Sequence, residues 1–544
     1  MVEMTSFHGA WSQLWRWNDQ IKDQVLYLTG LGGAERVKQT GAGRELPADP
    51  SPENKRNYTN TQRAGLITGP VLFALIHFFF TFGSIPDQAS TMLGIVAWVA
   101  TWWVTEALPI PLTSLLPLIL FPLLGIMDTG SVSASYGDSL IFLFAGSFMI
   151  ALSMEKWNLH KRIALSIIGF IGTNPGMIIL GFMTATGFLS MWISNTATTM
   201  LMIPMALAVM KQLSHSLKQS QNQLDQENAE FNFGHSLMLG TAYAATLGGF
   251  GTLIGAPANT ILAATVKKLY DVEISFAQWM LFGIPLVVVL IPLVWFYLTK
   301  IAYPIRIKQL SGGKEVIKNE QQSLGRMGYE EKVVLTIFTL TALAWITRSF
   351  FLSTFIPGID DTVIALIAAF ALFIIPAKTQ SGSIMDWETA KKLPWGILWL
   401  FGGGLAIAAG ITSSGLAQWI GGLLVNFTEV PVWLTLLLII STITALTEFT
   451  SNTATATMVY PIVAAAATAL NADPILLMVA GCMGATFAFM FPVAAPPNAI
   501  AFATGYIKMS SMAKTGIWLN LLCLLFSLLI MTTLAPAIFS GMIP

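Results

Sequence analysis

Apolar runs of about twenty residues, the length a helix needs to cross the hydrocarbon core, recur from residue 64 almost to the end of the chain. Uninterrupted ones lie at 64–84, 91–107, 112–126, 139–153, 280–300, 333–352, 362–377, 397–411 and 515–537. Each predicts a membrane-spanning helix, because backbone in lipid has to satisfy its own hydrogen bonds. Runs this long and this rich in Leu, Ala and Met lack the short alternating pattern of a membrane β-barrel. Four further apolar regions, 173–212, 237–268, 433–470 and 475–506, are broken half-way by polar clusters, Pro or Gly. Breaks of this kind let a membrane protein turn polar backbone inward.

Residues 1–62 stand apart. Trp11, Leu14, Trp15, Ile21, Val25 and Leu28 recur at helical spacing among polar residues, which predicts an amphipathic helix lying in the membrane interface. No signal-peptide core with a cleavage site is evident. Residues 40–62, with Pro47, Pro50 and Pro52, read as a linker.

Composition narrows the function classes. Hydrophobic residues make up 54% of the chain and charged residues 10%, against about 25% charged in a soluble domain. That is too little charge to cover a water-facing surface of this size. The 28 basic and 28 acidic residues cancel, so no nucleic-acid partner is implied. Cys482 and Cys523 both lie in apolar runs, which argues against a disulfide framework or a zinc cluster. The five histidines, His8, His77, His160, His215 and His235, do not pair at metal-ligand spacing. An intramembrane hydrolase needs a nucleophile–base pair or metal ligands in the spans; only His77 falls near a span centre.

Lys and Arg set the orientation. Lys300, Arg306, Lys308, Lys314, Lys318, Arg326 and Lys332 place the 300–332 loop, and with it the N-terminus, on the cytoplasmic side. Residues 409–440 carry no Lys or Arg, which suits an external position. Asp138 and Asp361 sit at span ends and read as solvated. Glu106 and Glu448 lie within the membrane part and read as structural carboxylates bonded to helix ends.

The chain also matches itself. LFAGSFMIA at 143–151 reappears as LFGGGLAIA at 400–408, and Ser-Asn-Thr-Ala-Thr at 194–198 reappears unchanged at 451–455; both offsets are 257 residues. Gly255-Ala256-Pro257-Ala258-Asn259 pairs with Ala494-Ala495-Pro496-Pro497-Asn498 at an offset of 239. Three matches in one order mark an internal repeat. The flanking charges place the first Ser-Asn-Thr hairpin as entering from the cytoplasm and the second from outside, so the halves are inverted. Inverted repeats are typical of secondary transporters, whose solute site lies where the halves meet.

The triplets supply the chemistry. Ser, Asn and Thr favour helix N-caps, so Ser194-Asn195-Thr196 and Ser451-Asn452-Thr453 each predict a break between two half-length helices. Freed N–H groups and the positive helix end attract an anion. No Lys, Arg or His lies within 173–210, 237–266, 433–470 or 475–506. The missing positive charge points to small cations held by neutral oxygens, which hard cations prefer. Ser190 and Thr447 stand one helical turn before their triplets and add hydroxyls at matched positions. Pro257 and Pro496 each break an apolar segment and free carbonyls beside a triplet. The expectation is one Na⁺ in each half and one anion shared between the triplets.

SNTATTM at 194–200, SNTATATM at 451–458 and FPVAAPPNAIAFATG at 491–505 resemble the divalent anion/sodium symporter family, the INDY-type dicarboxylate transporters. ATWWVTEALPIPLTSLLP at 100–117 and ILWLFGGGLAIAAGI at 397–411 are similar to its bacterial dicarboxylate members. The resemblance covers residues 64–540. It implies an all-α polytopic membrane protein, with about eleven transmembrane helices and two re-entrant hairpins in two inverted repeats. It also implies a homodimer in the cell membrane that couples Na⁺ to uptake of C4-dicarboxylates such as succinate, malate or fumarate by an elevator motion. Residues 1–62 would be the interfacial segment and 301–332 a cytoplasmic linker. Residues 63–170 and 333–425 would form the scaffold, and 171–300 and 426–544 the mobile transport domain. Carried over by position, Asn195, Thr196, Asn452 and Thr453 would contact the substrate carboxylates, with Pro257 and Pro496 beside them. Ser190, Ser194, Asn195 and Gly255 would hold one Na⁺; Thr447, Ser451, Asn452 and Ala494 the other. Family members often carry Thr where this chain has Ala256 and Ala495 and Pro where it has Ala258, so substrate donors are missing here. Some members exchange dicarboxylates without Na⁺.

Overall fold

The computed structural model describes residues 59–79, 85–172, 174–217, 223–305, 313–424, 430–470 and 472–543. The expected interfacial helix at 11–28 lies outside the described residues. Among them the chain is helical, apart from loops and one isolated β-bridge between Pro376 and Ser383.

The first helices are α1 (Asn60–Phe79) and α2 (Asp87–Thr105), packed against each other. The run at 112–126, expected as one span, is instead two short pieces, Ile110–Thr113 and α3 (Leu116–Leu123). Pro111, Pro117 and Pro122 account for the difference, since each removes a backbone donor. Eight residues rise only ~12 Å.

The first repeat then runs α4 (Ser139–Lys156), α5 (Leu159–Ile171), α6 (Pro175–Ser190), α7 (Asn195–Leu217), α8 (Gln223–Gly249), α9 (Pro257–Tyr270) and α10 (Phe276–Phe296). A π-helix, Tyr297–Ala302, extends α10. After α11 (Tyr329–Thr347) and α12 (Asp361–Ile374) the second repeat follows. Its helices are α13 (Trp395–Ser413), α14 (Leu416–Leu424), α15 (Val432–Thr447), α16 (Asn452–Ala469), α17 (Pro474–Thr486), α18 (Pro496–Ala503) and α19 (Met509–Phe539).

Helix ends reproduce the sequence repeat. α6 and α15 start and stop 257 residues apart, α7 and α16 start 257 apart, and α9 and α18 start 239 apart. Six helical stretches among the described residues are long and apolar enough to cross a membrane. The 16-residue α6 and α15 are not among them: each rises ~24 Å, short of the ~30 Å hydrocarbon core. Each is followed at once by a second helix, α7 or α16, that starts five residues further on.

Every residue from Phe233 to Ala256 is buried. A helix stretch buried on all sides belongs inside a bundle, and α8 is such a stretch from Phe233 onward. α17 is its counterpart, buried from Leu477 to Phe489.

Asp361, expected in solvent, is buried and ion-paired with Arg348 at 2.7 Å. Arg348 also meets Glu273 at 2.7 Å, and the Phe276 N–H donates to Asp361 at 2.9 Å. Three helix ends converge there, which excludes water from the carboxylate. Asp138 caps α4, accepting from the Leu140 N–H at 2.9 Å. Glu106 departs from expectation: its backbone, left-handed at φ 47°, ends α2 while its side chain is exposed.

Candidate functional site

The site starts from two helices that stop and restart. α6 ends at Ser190 and α7 begins at Asn195; α15 ends at Thr447 and α16 begins at Asn452. Ser194 caps α7 by accepting from the Ala197 N–H at 3.2 Å. Ser451 precedes α16 in an extended conformation, and its hydroxyl makes no capping bond.

In the first half, oxygens gather around Asn195. Its Oδ1 stands 2.5 Å from Ser190 Oγ and 3.2 Å from the carbonyl oxygens of Ala245 and Gly255. The Ser190 hydroxyl also donates to Ala245 O at 2.7 Å. With the amide turned over, its NH₂ group donates to both carbonyls instead. With the oxygen inward, four neutral oxygens lie together, and a hard cation satisfies them. The residues present therefore fit Na⁺. Bare backbone is needed to reach this geometry: a Cβ on Gly249 would sit 2.4 Å from Asn195 Oδ1.

The second half repeats the arrangement. Thr447 Oγ1, with one proton to give, lies 2.8 Å from Asn452 Oδ1 and 3.2 Å from Ala485 O. The Asn452 NH₂ donates to Thr486 O at 3.2 Å. Ala494 is buried at the end of the neighbouring loop, but its carbonyl accepts no hydrogen bond from Asn452.

Each cluster has a hidden side and an open side. Ser190 and Thr447 are fully buried. Asn195, Thr196, Asn452 and Thr453 are half-buried, Pro257 is half-buried and Pro496 is exposed. Pro257 and Pro496 are the first residues of their helices, where the missing N–H costs nothing. Four helices, α7, α9, α16 and α18, thus begin at these breaks. Their N–H groups and positive ends favour an anion.

Two residues that hold the breaks open had no assigned role in the sequence reading. The Asn259 NH₂ donates to Gly249 O at 2.9 Å and Thr252 O at 2.7 Å. The Asn498 NH₂ donates to Ala488 O and Phe491 O, each at 3.2 Å. Both side chains are fully buried. Their shared place in the 239-residue match was the available signal. The Ala245 and Ala485 carbonyls carried none.

Glu448 is a structural carboxylate, as expected, although it holds a turn. It accepts from the Phe489, Met490 and Phe491 N–H groups at 2.9–3.2 Å, and Asn520 Nδ2 also donates to it. At the matched place the Met191 carbonyl accepts from Thr252 Oγ1 at 2.5 Å.

The halves also interlock. α9 packs on α16 and α18 packs on α7. Tyr460 donates to Ala258 O and Tyr243 donates to Phe489 O, both at 3.0 Å.

Paired broken-helix hairpins in an internal repeat define the class as a helical membrane transporter, and the chain is not an enzyme. More narrowly, it belongs to the sodium:sulfate symporter family, whose transmembrane-region model matches residues 61–540. It is 48% identical over 490 residues to the sodium-dependent dicarboxylate transporter SdcS of Staphylococcus saprophyticus, covering 89% of this chain and 93% of that one. The Staphylococcus aureus protein of the same name is 46% identical, with 89% and 94% covered. The crystal structure of the Alcanivorax borkumensis YdaH transporter shares the fold at a TM-score of 0.50 and 12% identity, covering 76% of this chain and 89% of that one.

Proposed function

We propose that this chain couples Na⁺ entry to uptake of a C4-dicarboxylate such as succinate, malate or fumarate. The observation that carries the reading is the cluster of Ser190 Oγ, Ala245 O and Gly255 O around the Asn195 amide, which completes it when its oxygen turns inward. Neutral oxygens without a basic partner suit an alkali cation. Nearly full-length likeness to transporters named as sodium-dependent and dicarboxylate-carrying supports the same cargo here.

In this reading one Na⁺ sits in each half. Ser190, Ser194, Asn195 and Gly255 serve the first, and Thr447, Ser451, Asn452 and Ala494 the second. The Ala245 and Ala485 carbonyls complete them. The two cations supply the charge that a dianion requires. Asn195, Thr196, Asn452 and Thr453 bind its carboxylates from the open side, with Pro257 and Pro496 alongside. Substrate then binds well only after Na⁺, which is the physical basis of coupling. Residues 171–300 and 426–544 move as an elevator against 63–170 and 333–425. Two copies form a dimer in the cell membrane, with the N-terminus and the 301–332 linker in the cytoplasm.

Radiolabelled succinate uptake into proteoliposomes tests this. An inward Na⁺ gradient should drive uphill accumulation, and collapsing that gradient should abolish it. Equal uptake with K⁺ replacing Na⁺ would overturn the reading. Counterflow from preloaded vesicles without any Na⁺ requirement would replace symport by dicarboxylate exchange. Uptake that never exceeds equilibrium would indicate a passive channel.

A further inference from the structure

A groove of about 920 Å³ lies on another face of the molecule, where the π-helix Tyr297–Ala302 meets the first turns of α19. Its lining is mostly apolar and includes Ile301, Trp518, Leu521 and Leu525, all exposed. The tyrosines beside them are already committed. Tyr303 bonds Thr515 Oγ1 at 2.8 Å, and Tyr297 donates to Thr515 O at 3.2 Å. These bonds pin α19 to the end of α10 and fix the groove's floor.

One end of the groove is cationic. Lys514 lines it, is exposed, and forms no ion pair among the described residues. Lys300 and Lys508, at the ends of the same two helices, are likewise exposed and unpaired among the described residues. The depth is also telling. α19 has 31 residues and so rises ~46 Å, which exceeds the ~30 Å hydrocarbon core. Lys514 lies in its second turn, at the level where headgroups and interfacial Trp and Tyr belong.

We propose that this groove holds one anionic phospholipid of the surrounding bilayer, its phosphate on Lys514 and an acyl chain along Trp518, Leu521 and Leu525. A soluble anion leaves the apolar wall uncovered. A zwitterionic lipid covers the wall but brings no net charge to the lysines. An anionic lipid matches both ends, and local lysines strengthen such contacts.

Native mass spectrometry of the delipidated full chain tests the assignment independently of transport. The probes are phosphatidylglycerol and phosphatidylcholine with the same acyl chains. One phosphatidylglycerol should be retained about fivefold better than phosphatidylcholine, the scale of one lysine at an anionic surface. Lys514→Gln should remove that preference and Lys514→Arg should keep it. Lys268→Gln, on α9, should leave it unchanged. Trp518→Ala should weaken retention of both lipids while thermal unfolding shows a folded protein. Equal retention of the two lipids by the unaltered chain, or an undiminished preference in Lys514→Gln, would overturn the proposal. So would full competition by millimolar inorganic phosphate, which marks an ion site. A change in copy number with unchanged lipid retention would make the groove a contact between chains instead.

Discussion

Asn195 and Asn452 occupy one position in two copies of the same motif. Each side-chain amide lies within hydrogen-bond reach of a hydroxyl five residues earlier, that of Ser190 at 2.5 Å and that of Thr447 at 2.8 Å. Each hydroxyl also donates to a carbonyl of the buried helix behind it, Ala245 O or Ala485 O. The pair gives the most direct test of the site. Asn195→Ala and Asn452→Ala should each abolish Na⁺-driven succinate uptake and leave thermal unfolding close to normal. Na⁺ affinity, read by Na⁺-dependent protection against unfolding, should fall about tenfold to a hundredfold, the scale of one lost bond to a charged group. Near-normal uptake in either variant would move the site elsewhere.

Gly249→Ala adds one methyl group 2.4 Å from Asn195 Oδ1. The amide has to move, so uptake should drop sharply although no polar atom is removed. The overpacking should also cost about 1–3 kcal/mol. A thermal melt combined with a Na⁺ titration separates the two effects. Unchanged Na⁺ dependence would contradict the close approach.

Asn259→Ala and Asn498→Ala each strip the bonds from two buried loop carbonyls. Each lost partner in a dry site costs about 1–3 kcal/mol, so both variants should melt earlier. Their Na⁺ dependence should weaken as well, because the loops then lose their fixed shape. Unaltered melting in both would show that the loops are held by other contacts.

Arg348→Ala leaves the Asp361 carboxylate buried without its partner, which should destabilise the chain by about 3–5 kcal/mol. The double variant Arg348→Met with Asp361→Asn should recover most of that loss, because the one charge left unpaired, on Glu273, is exposed to water. Unfolding in detergent reads both. A single variant as stable as the unaltered chain would mean that water reaches Asp361.

Much of this was legible in the sequence, for physical reasons. Spans show in hydropathy because lipid tolerates little else. The breaks show because the pentamer and the Pro-bearing segments recur at fixed offsets, and helix starts at Asn195, Asn452, Pro257 and Pro496 follow them. The failures have causes too. The run at 112–126 looks continuous because hydropathy scores Pro111, Pro117 and Pro122 without regard to their missing donors. Asp361 looks solvated because it stands at a span end, and nothing in the sequence shows that it meets Arg348. The Ala245 and Ala485 carbonyls were invisible, since every residue has one. Asn259 and Asn498 were visible as repeats, but a repeat does not say which backbone a side chain will bond.

The hydroxyl of Tyr460 rests on the carbonyl of Ala258, and that of Tyr243 on the carbonyl of Phe489. Neither duplicate is therefore self-sufficient: each keeps its partner's open turn in shape. A gene fragment encoding one duplicate alone should give a polypeptide whose interrupted segment has nothing to close against. Activity should return only when both fragments are made in the same cell and assemble.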